Sequence, residues 1–86
     1  MKLIFYHKPG CHLCETLAEK LAQLPNLSLE LEMRDITTRA DWFAAYEYEI
    51  PVIAQIVEGE EVVLPRLSPR LPIQQIERML KKTLRM

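Results

Sequence analysis

Leu3-Ile4-Phe5-Tyr6, near the start of an 86-residue chain, is a continuous apolar run with no polar alternation. A run of strand length with that character suits a strand buried on both faces, so the fold has to place other elements on each side of it. Pro9 and Gly10 then force a turn. Beyond them Leu13, Leu17, Leu21 and Leu24 fall at steps of four, four and three, with Glu15, Glu19, Lys20 and Gln23 between, which predicts an amphipathic helix. The chain's two cysteines, Cys11 and Cys14, stand where the strand gives way to that helix.

This placement has chemical consequences. Unpaired N–H groups and the macrodipole at a helix start stabilise negative charge, and Cys11 falls at or just before the first turn. The thiolate is the reactive form of cysteine, and a free thiol has a pKa of about 8.5. Lys8, and His12 when protonated, add to the stabilisation, while Glu15 opposes it. Cys14, one turn further in, is expected to be more buried and to act as a resolving thiol. The three-residue offset puts both sulfurs on one helix face, within reach of a disulfide. Two other readings stay open at this point: a pair of structural thiols, and a His7, Cys11, His12, Cys14 metal cluster.

Length allows one domain, residues 1–86, with a modest stability margin. Hydrophobic residues make up 49% of the chain, with two glycines, which argues for a packed globule. Eleven basic against twelve acidic residues imply neither nucleic acid nor an anionic membrane as partner. No apolar run approaches membrane-spanning length, and the start is too short for a signal sequence, so a cytoplasmic location is expected. One close cysteine pair is not the disulfide-dense pattern of a secreted scaffold. A monomer is expected, since no large apolar face is left over.

Downstream, Leu27, Leu29, Leu31 and Met33 alternate with Ser28, Glu30, Glu32 and Arg34, which predicts an edge strand with one wet face. Thr38 followed by Asp41 reads as an N-cap, with Trp42, Ala45 and Tyr46 on one helical face. Trp42, Tyr46 and Tyr48 are expected to pack rather than bind. Pro51 opens the apolar run Val52 to Val57, Glu58-Gly59-Glu60 turns it, and Val62-Val63-Leu64 forms the second arm of a hairpin. Ile73, Ile76, Leu80 and Leu84 predict a last helix starting between Pro69 and Pro72, with Ser68-Pro69 as one start signal. Lys81, Lys82 and Arg85 would complement its C-terminal dipole.

The expected order is βαβαββα: an α/β fold with a four-stranded mixed sheet and helices on both faces. That order, the C-x-x-C at the first strand-helix junction, Lys8-Pro9 ahead of it and Ile50-Pro51 opening the third strand resemble the thioredoxin fold. The short N-terminus and the segment Lys8-Pro9-Gly10-Cys11-His12-Leu13-Cys14-Glu15 resemble the small glutaredoxin-like proteins in particular. The resemblance implies a thiol-disulfide oxidoreductase acting on protein or small-molecule disulfides, with Cys11 as nucleophile and Cys14 as resolving cysteine. It implies that Pro51 follows a cis peptide bond and faces the thiols, and that Ile50 offers its backbone N–H and C=O to an extended substrate.

Two departures qualify what the resemblance implies. Glutathione-using relatives carry a Gly-Gly pair after the last strand, whereas this chain reads Leu64-Pro65-Arg66-Leu67-Ser68-Pro69, whose prolines remove backbone donors. Arg66 is retained as a group that can pair with a substrate carboxylate. No resident cofactor is expected, and glutathione is kept as a candidate reductant. Between the cysteines stands His12-Leu13, and a histidine that stabilises the thiolate makes the disulfide more oxidising. The alternatives are a glutathione-dependent or iron-sulfur-sharing glutaredoxin, or a non-enzymatic binding module of the same fold.

Overall fold

A computed structural model describes residues 2–84. The central element is β1 (Lys2–His7), whose residues Leu3 to Tyr6 are essentially inaccessible to solvent. It lies inside a four-stranded sheet of order β2-β1-β3-β4, with β2 (Glu30–Asp35) parallel to it and β3 (Val52–Val57) antiparallel. β4 (Glu60–Val63) completes the sheet as the antiparallel partner of β3. The hairpin between them turns through Glu58 and Gly59, with φ of 53° and 81°. Two positive φ values are what a two-residue turn matched to strand twist requires.

Three helices accompany the sheet among the described residues: α1 (His12–Ala22), α2 (Ala40–Tyr46) and α3 (Ile73–Thr83). A 3-10 turn at Ile36–Thr38 precedes α2. Alternation along β1 sends neighbours to opposite faces. Phe5 shares a concavity with Ala18 and Glu19 of α1, while the Tyr6 ring meets Trp42 and Tyr46 of α2. Leu17, Leu21, Ile76, Leu80 and Leu84 join the β1 and β3 side chains in one core.

The α2 face holds a polar chain across the sheet. The Tyr6 hydroxyl donates to Glu61 Oε2 at 2.5 Å and accepts from Arg34 at 2.9 Å, and Arg34 also reaches Glu61 and Glu32. Lys2 pairs with the far side of Glu32. β2, β1 and β4 are thereby linked at one buried hydroxyl. The Trp42 ring lies 5.1 Å from the Arg34 guanidinium and 4.8 Å from that of Arg39.

Several expectations need correction. Leu13 is largely exposed, so the buried stripe of α1 begins at Cys14 and runs through Leu17 and Leu21. β2 starts at Glu30 rather than Leu27, and Glu30 is the register partner of Lys2. Leu27 and Leu29 still pack against the core as irregular chain. Thr38 does not cap α2: it closes the 3-10 turn that Asp35 caps by accepting from the Thr37 N–H, and Arg39 holds the N-cap position of α2. Ser68 does not open α3, whose N-cap is Pro72. Tyr48 is 86% exposed and packs against nothing in the core. Arg85 lies outside the described residues.

The segment from Leu64 to Pro72 is irregular but held. Leu67 and Pro69 are buried, and Leu71 N–H closes a turn onto Ser68 C=O. Lys20 of α1 donates from Nζ to the carbonyls of Pro69 at 2.6 Å and Leu71 at 2.9 Å. Hydrogen bonds from a charged donor contribute about 1.5–3 kcal/mol each when shielded, and less at a half-exposed position such as this. Lys20→Met is therefore expected to cost about 1–2 kcal/mol and to lower Tm by roughly 5–15 °C in a domain of this size. A thermal melt followed by circular dichroism checks this. An unchanged Tm would mean that burial of Leu67 and Pro69 alone holds the segment.

Candidate active site

Gly10, at φ 80°, turns the chain from β1 into α1, and Cys11 is the N-cap residue of that helix. Cys11 Sγ accepts the backbone N–H of Cys14 at 3.2 Å, the bond a serine or aspartate usually accepts at this position. Cys11 is half-buried and Cys14 is 3% exposed. The two form a disulfide across 5.3 Å between Cα atoms, inside the ordinary range for that bond. The exposed and buried members of the pair thus match the sequence expectation.

The register places the rest of the site. Tyr6 pairs with Val52, so Pro51 comes to the same end of the sheet as His7 and the cysteine turn. The Ile50-Pro51 peptide bond is cis. Ile50 differs from the expectation in one respect: its N–H donates to Tyr46 C=O at 3.1 Å, closing the end of α2, so it is not free to pair with another chain.

The remaining expected site residues divide between two sides of the cysteine turn. Lys8 and His7 share an open concavity with Cys14, Glu15 and Glu19. Pro51 and Arg66 line a separate cavity of about 230 Å³, whose walls include Leu17, Tyr46, Ile53, Leu64 and Leu67. Arg66 also borders a second concavity with Leu13, Ser68, Pro69 and Arg70. His12 projects into solvent, its Nδ1 3.4 Å from Glu15, the carboxylate expected to oppose the thiolate. Among the described residues no group of three or more His, Cys, Asp or Glu side chains converges as around a metal ion.

Sequence reading missed Arg70, Leu64 and Leu67. Arg70 falls within the Pro69 to Pro72 span left open for the start of α3, and the observed start at Ile73 leaves it in the loop beside Leu13. Leu64 reads as the end of the second hairpin arm and Leu67 carries no signal of its own, since the cavity they line is assembled from four separate parts of the chain.

A mixed sheet of this order, a cysteine pair bonded across the first strand-helix junction and a cis-proline at the same sheet end define a thioredoxin-fold protein of glutaredoxin-like type. The chain belongs to the Glutaredoxin-like domain (DUF836) family, which matches residues 2–81. It is similar to the X-ray structure of the structural genomics target protein XcR50 from X. campestris, with 29% identity and a TM-score of 0.57 over 88% of this chain and 96% of that one. It also shares its fold with thioredoxin 1 from Thermosipho africanus TCF52B, at 14% identity and a TM-score of 0.62 over 95% and 92% of the two chains. No curated protein matches the chain.

Proposed function

We propose that the protein is a thiol-disulfide oxidoreductase of protein or low-molecular-weight disulfides. The observation that carries this reading is Cys11 at the N-cap of α1, its sulfur accepting a backbone N–H while bonded to the buried Cys14. In the reduced protein the same N–H and the helix dipole favour a thiolate at Cys11.

The thiolate attacks one sulfur of the substrate disulfide. A Cys11–substrate bond forms, the substrate S–S bond breaks, and one substrate thiolate leaves and takes up a proton. Cys14, as thiolate, then attacks Cys11 Sγ. The second substrate thiolate departs, and two electrons have passed from the protein dithiol to the substrate. Lys8, and His12 when protonated, contribute positive charge around the turn, Arg66 receives a substrate carboxylate, and Pro51 with the Ile50 carbonyl flanks the incoming segment. The proposal places the protein in the cytoplasm as a monomer with no resident cofactor, reduced by glutathione or by a reductase. Among the described residues no helix is long and apolar enough to cross a membrane.

The test is the pH dependence of Cys11 alkylation in the reduced protein, with Cys14→Ser as control, followed by equilibration in a glutathione redox buffer. The expected midpoint lies below the about 8.5 of a free cysteine, with reversible formation of the Cys11–Cys14 disulfide. Slow alkylation at an ordinary midpoint, with no exchange in the buffer, would overturn the assignment.

A further inference from the structure

The cavity beside Pro51 and the concavity beside Leu13 meet at Arg66, and together they describe a substrate. The first is walled by Leu17, Tyr46, Ile53, Leu64 and Leu67, and at about 230 Å³ it falls below the roughly 300–1,000 Å³ of clefts that hold drug-sized ligands. Its size and lining suit one bulky apolar side chain. Its charged residues, Glu49 and Arg66, are of opposite sign. The second concavity has only positive charge, from Arg66 and Arg70, and it abuts Leu13, which lies between the two cysteines.

These two arginines, in the loop after β4, differ from Arg34 and Arg39. Arg34 and Arg39 are each bound to a carboxylate, whereas no ion pair or side-chain hydrogen bond engages the guanidinium of Arg66 or Arg70 among the described residues. Arg70 is also mounted on a braced segment. Lys20 fixes the carbonyls on both sides of Arg70, and the Arg70 N–H is bonded to Ser68 Oγ at 3.3 Å. Two unpaired cations on a tethered loop form a prepared carboxylate receptor, with less ordering left to do on binding.

We propose, building on the oxidoreductase reading, that the substrate is a polypeptide disulfide whose cysteine is flanked on one side by a bulky apolar residue and on the other by an acidic one. The apolar side chain enters the cavity beside Pro51. The carboxylate lies across Leu13 toward Arg66 and Arg70. Glutathione disulfide offers carboxylates but no apolar side chain, so it leaves the cavity empty.

The experiment uses short peptides carrying one cysteine as a mixed disulfide with a chromogenic thiol. One neighbour is leucine or glycine and the other is glutamate, glutamine or lysine, in both orders. Every rate is divided by the same variant's rate with uncharged hydroxyethyl disulfide. The leucine/glutamate peptide is expected to react about tenfold or more faster than its glycine/glutamate counterpart, and about fivefold or more faster than leucine/lysine at low salt. Salt should erase the second preference and leave the first. Arg66→Gln/Arg70→Gln should abolish the charge preference alone, and Ala45→Phe, which fills the cavity from an exposed position on α2, the leucine preference alone.

Equal rates across the peptides, or glutathione disulfide reacting as fast as the best of them, would overturn the substrate assignment while exchange itself stood. No exchange even with hydroxyethyl disulfide would instead overturn the oxidoreductase reading beneath it.

Discussion

Replacing Cys11 by serine is expected to reduce disulfide turnover by roughly a thousandfold or more, whereas replacing Cys14 should stop the reaction halfway with substrate attached. The asymmetry follows from their positions. Cys11 is the half-buried N-cap residue, open to attack on an incoming disulfide, and Cys14 lies behind it at 3% exposure. A serine at Cys11 still caps the helix, so the fold should persist while the nucleophile is lost. With Cys14→Ser, no internal sulfur can displace the substrate, and mass spectrometry should find the mixed disulfide on Cys11. Full reductase activity in the Cys11→Ser protein would sink the assignment of roles, since Cys14 would then be the attacking thiol.

The second large effect concerns stability in alkali. Burial, and then the hydrogen bond to Glu61, push the Tyr6 phenol from 10.0 up to about 12, and burial raises Tyr46 as well. The folded chain therefore holds the Tyr6 proton more tightly than the unfolded chain does. The associated stability is fully present below pH 10 and is lost as pH rises toward 12, amounting to about 2–3 kcal/mol for a shift of this size. Against a total of about 5–15 kcal/mol for a small domain, that loss is large. Urea unfolding of the disulfide-bonded protein between pH 8 and 11.5 should show the decline. Tyr6→Phe should start about 1–2 kcal/mol lower at pH 8, because Glu61 and Arg34 lose a buried partner, and should then fall less steeply. An identical slope in Tyr6→Phe would assign the alkaline loss to other groups.

The order of elements was legible because each had a local signature. Leu3 to Tyr6 could only be an inner strand, and the turn between two β-branched runs could only be a hairpin, though it closes at Glu58-Gly59 and Glu60, expected in the turn, already pairs in β4. Boundaries that depend on a distant partner were not legible. The alternation from Leu27 onward looks like strand throughout, yet the described ladder with β1 takes up only Glu30 to Asp35, a pairing that local sequence does not specify. Ser68-Pro69 has the chemistry of a helix start, but the chain there is bound through its carbonyls to Lys20, a contact across 49 positions. Glu77, buried on α3, is paired with Lys81 and held below the usual carboxylate range, first by Asn26 and then by Lys81. Only the i,i+4 lysine of that arrangement could be read from spacing.

The site divides the same way. The pairing of the two cysteines was legible because it depends on three residues of separation and a helix start. Arg66 was singled out from its place after the last strand, but that it borders one concavity with Arg70 depends on a loop conformation that local sequence does not specify. Ile50 is the instructive case: its place before Pro51 was read correctly, and the use of its N–H was not, because the acceptor belongs to the last residue of α2.

If the proposed mechanism holds, that committed N–H sets a dwell time. On the proposed mechanism, a segment lying beside Pro51 gains one main-chain hydrogen bond from Ile50 instead of two, about 0.5–1.5 kcal/mol less grip. Differences of that kind fall mostly on departure rather than arrival, so product leaves roughly two- to tenfold sooner. On that mechanism, by tying its own backbone to α2 the protein gives up some hold on what it has just reduced and is ready earlier for the next encounter.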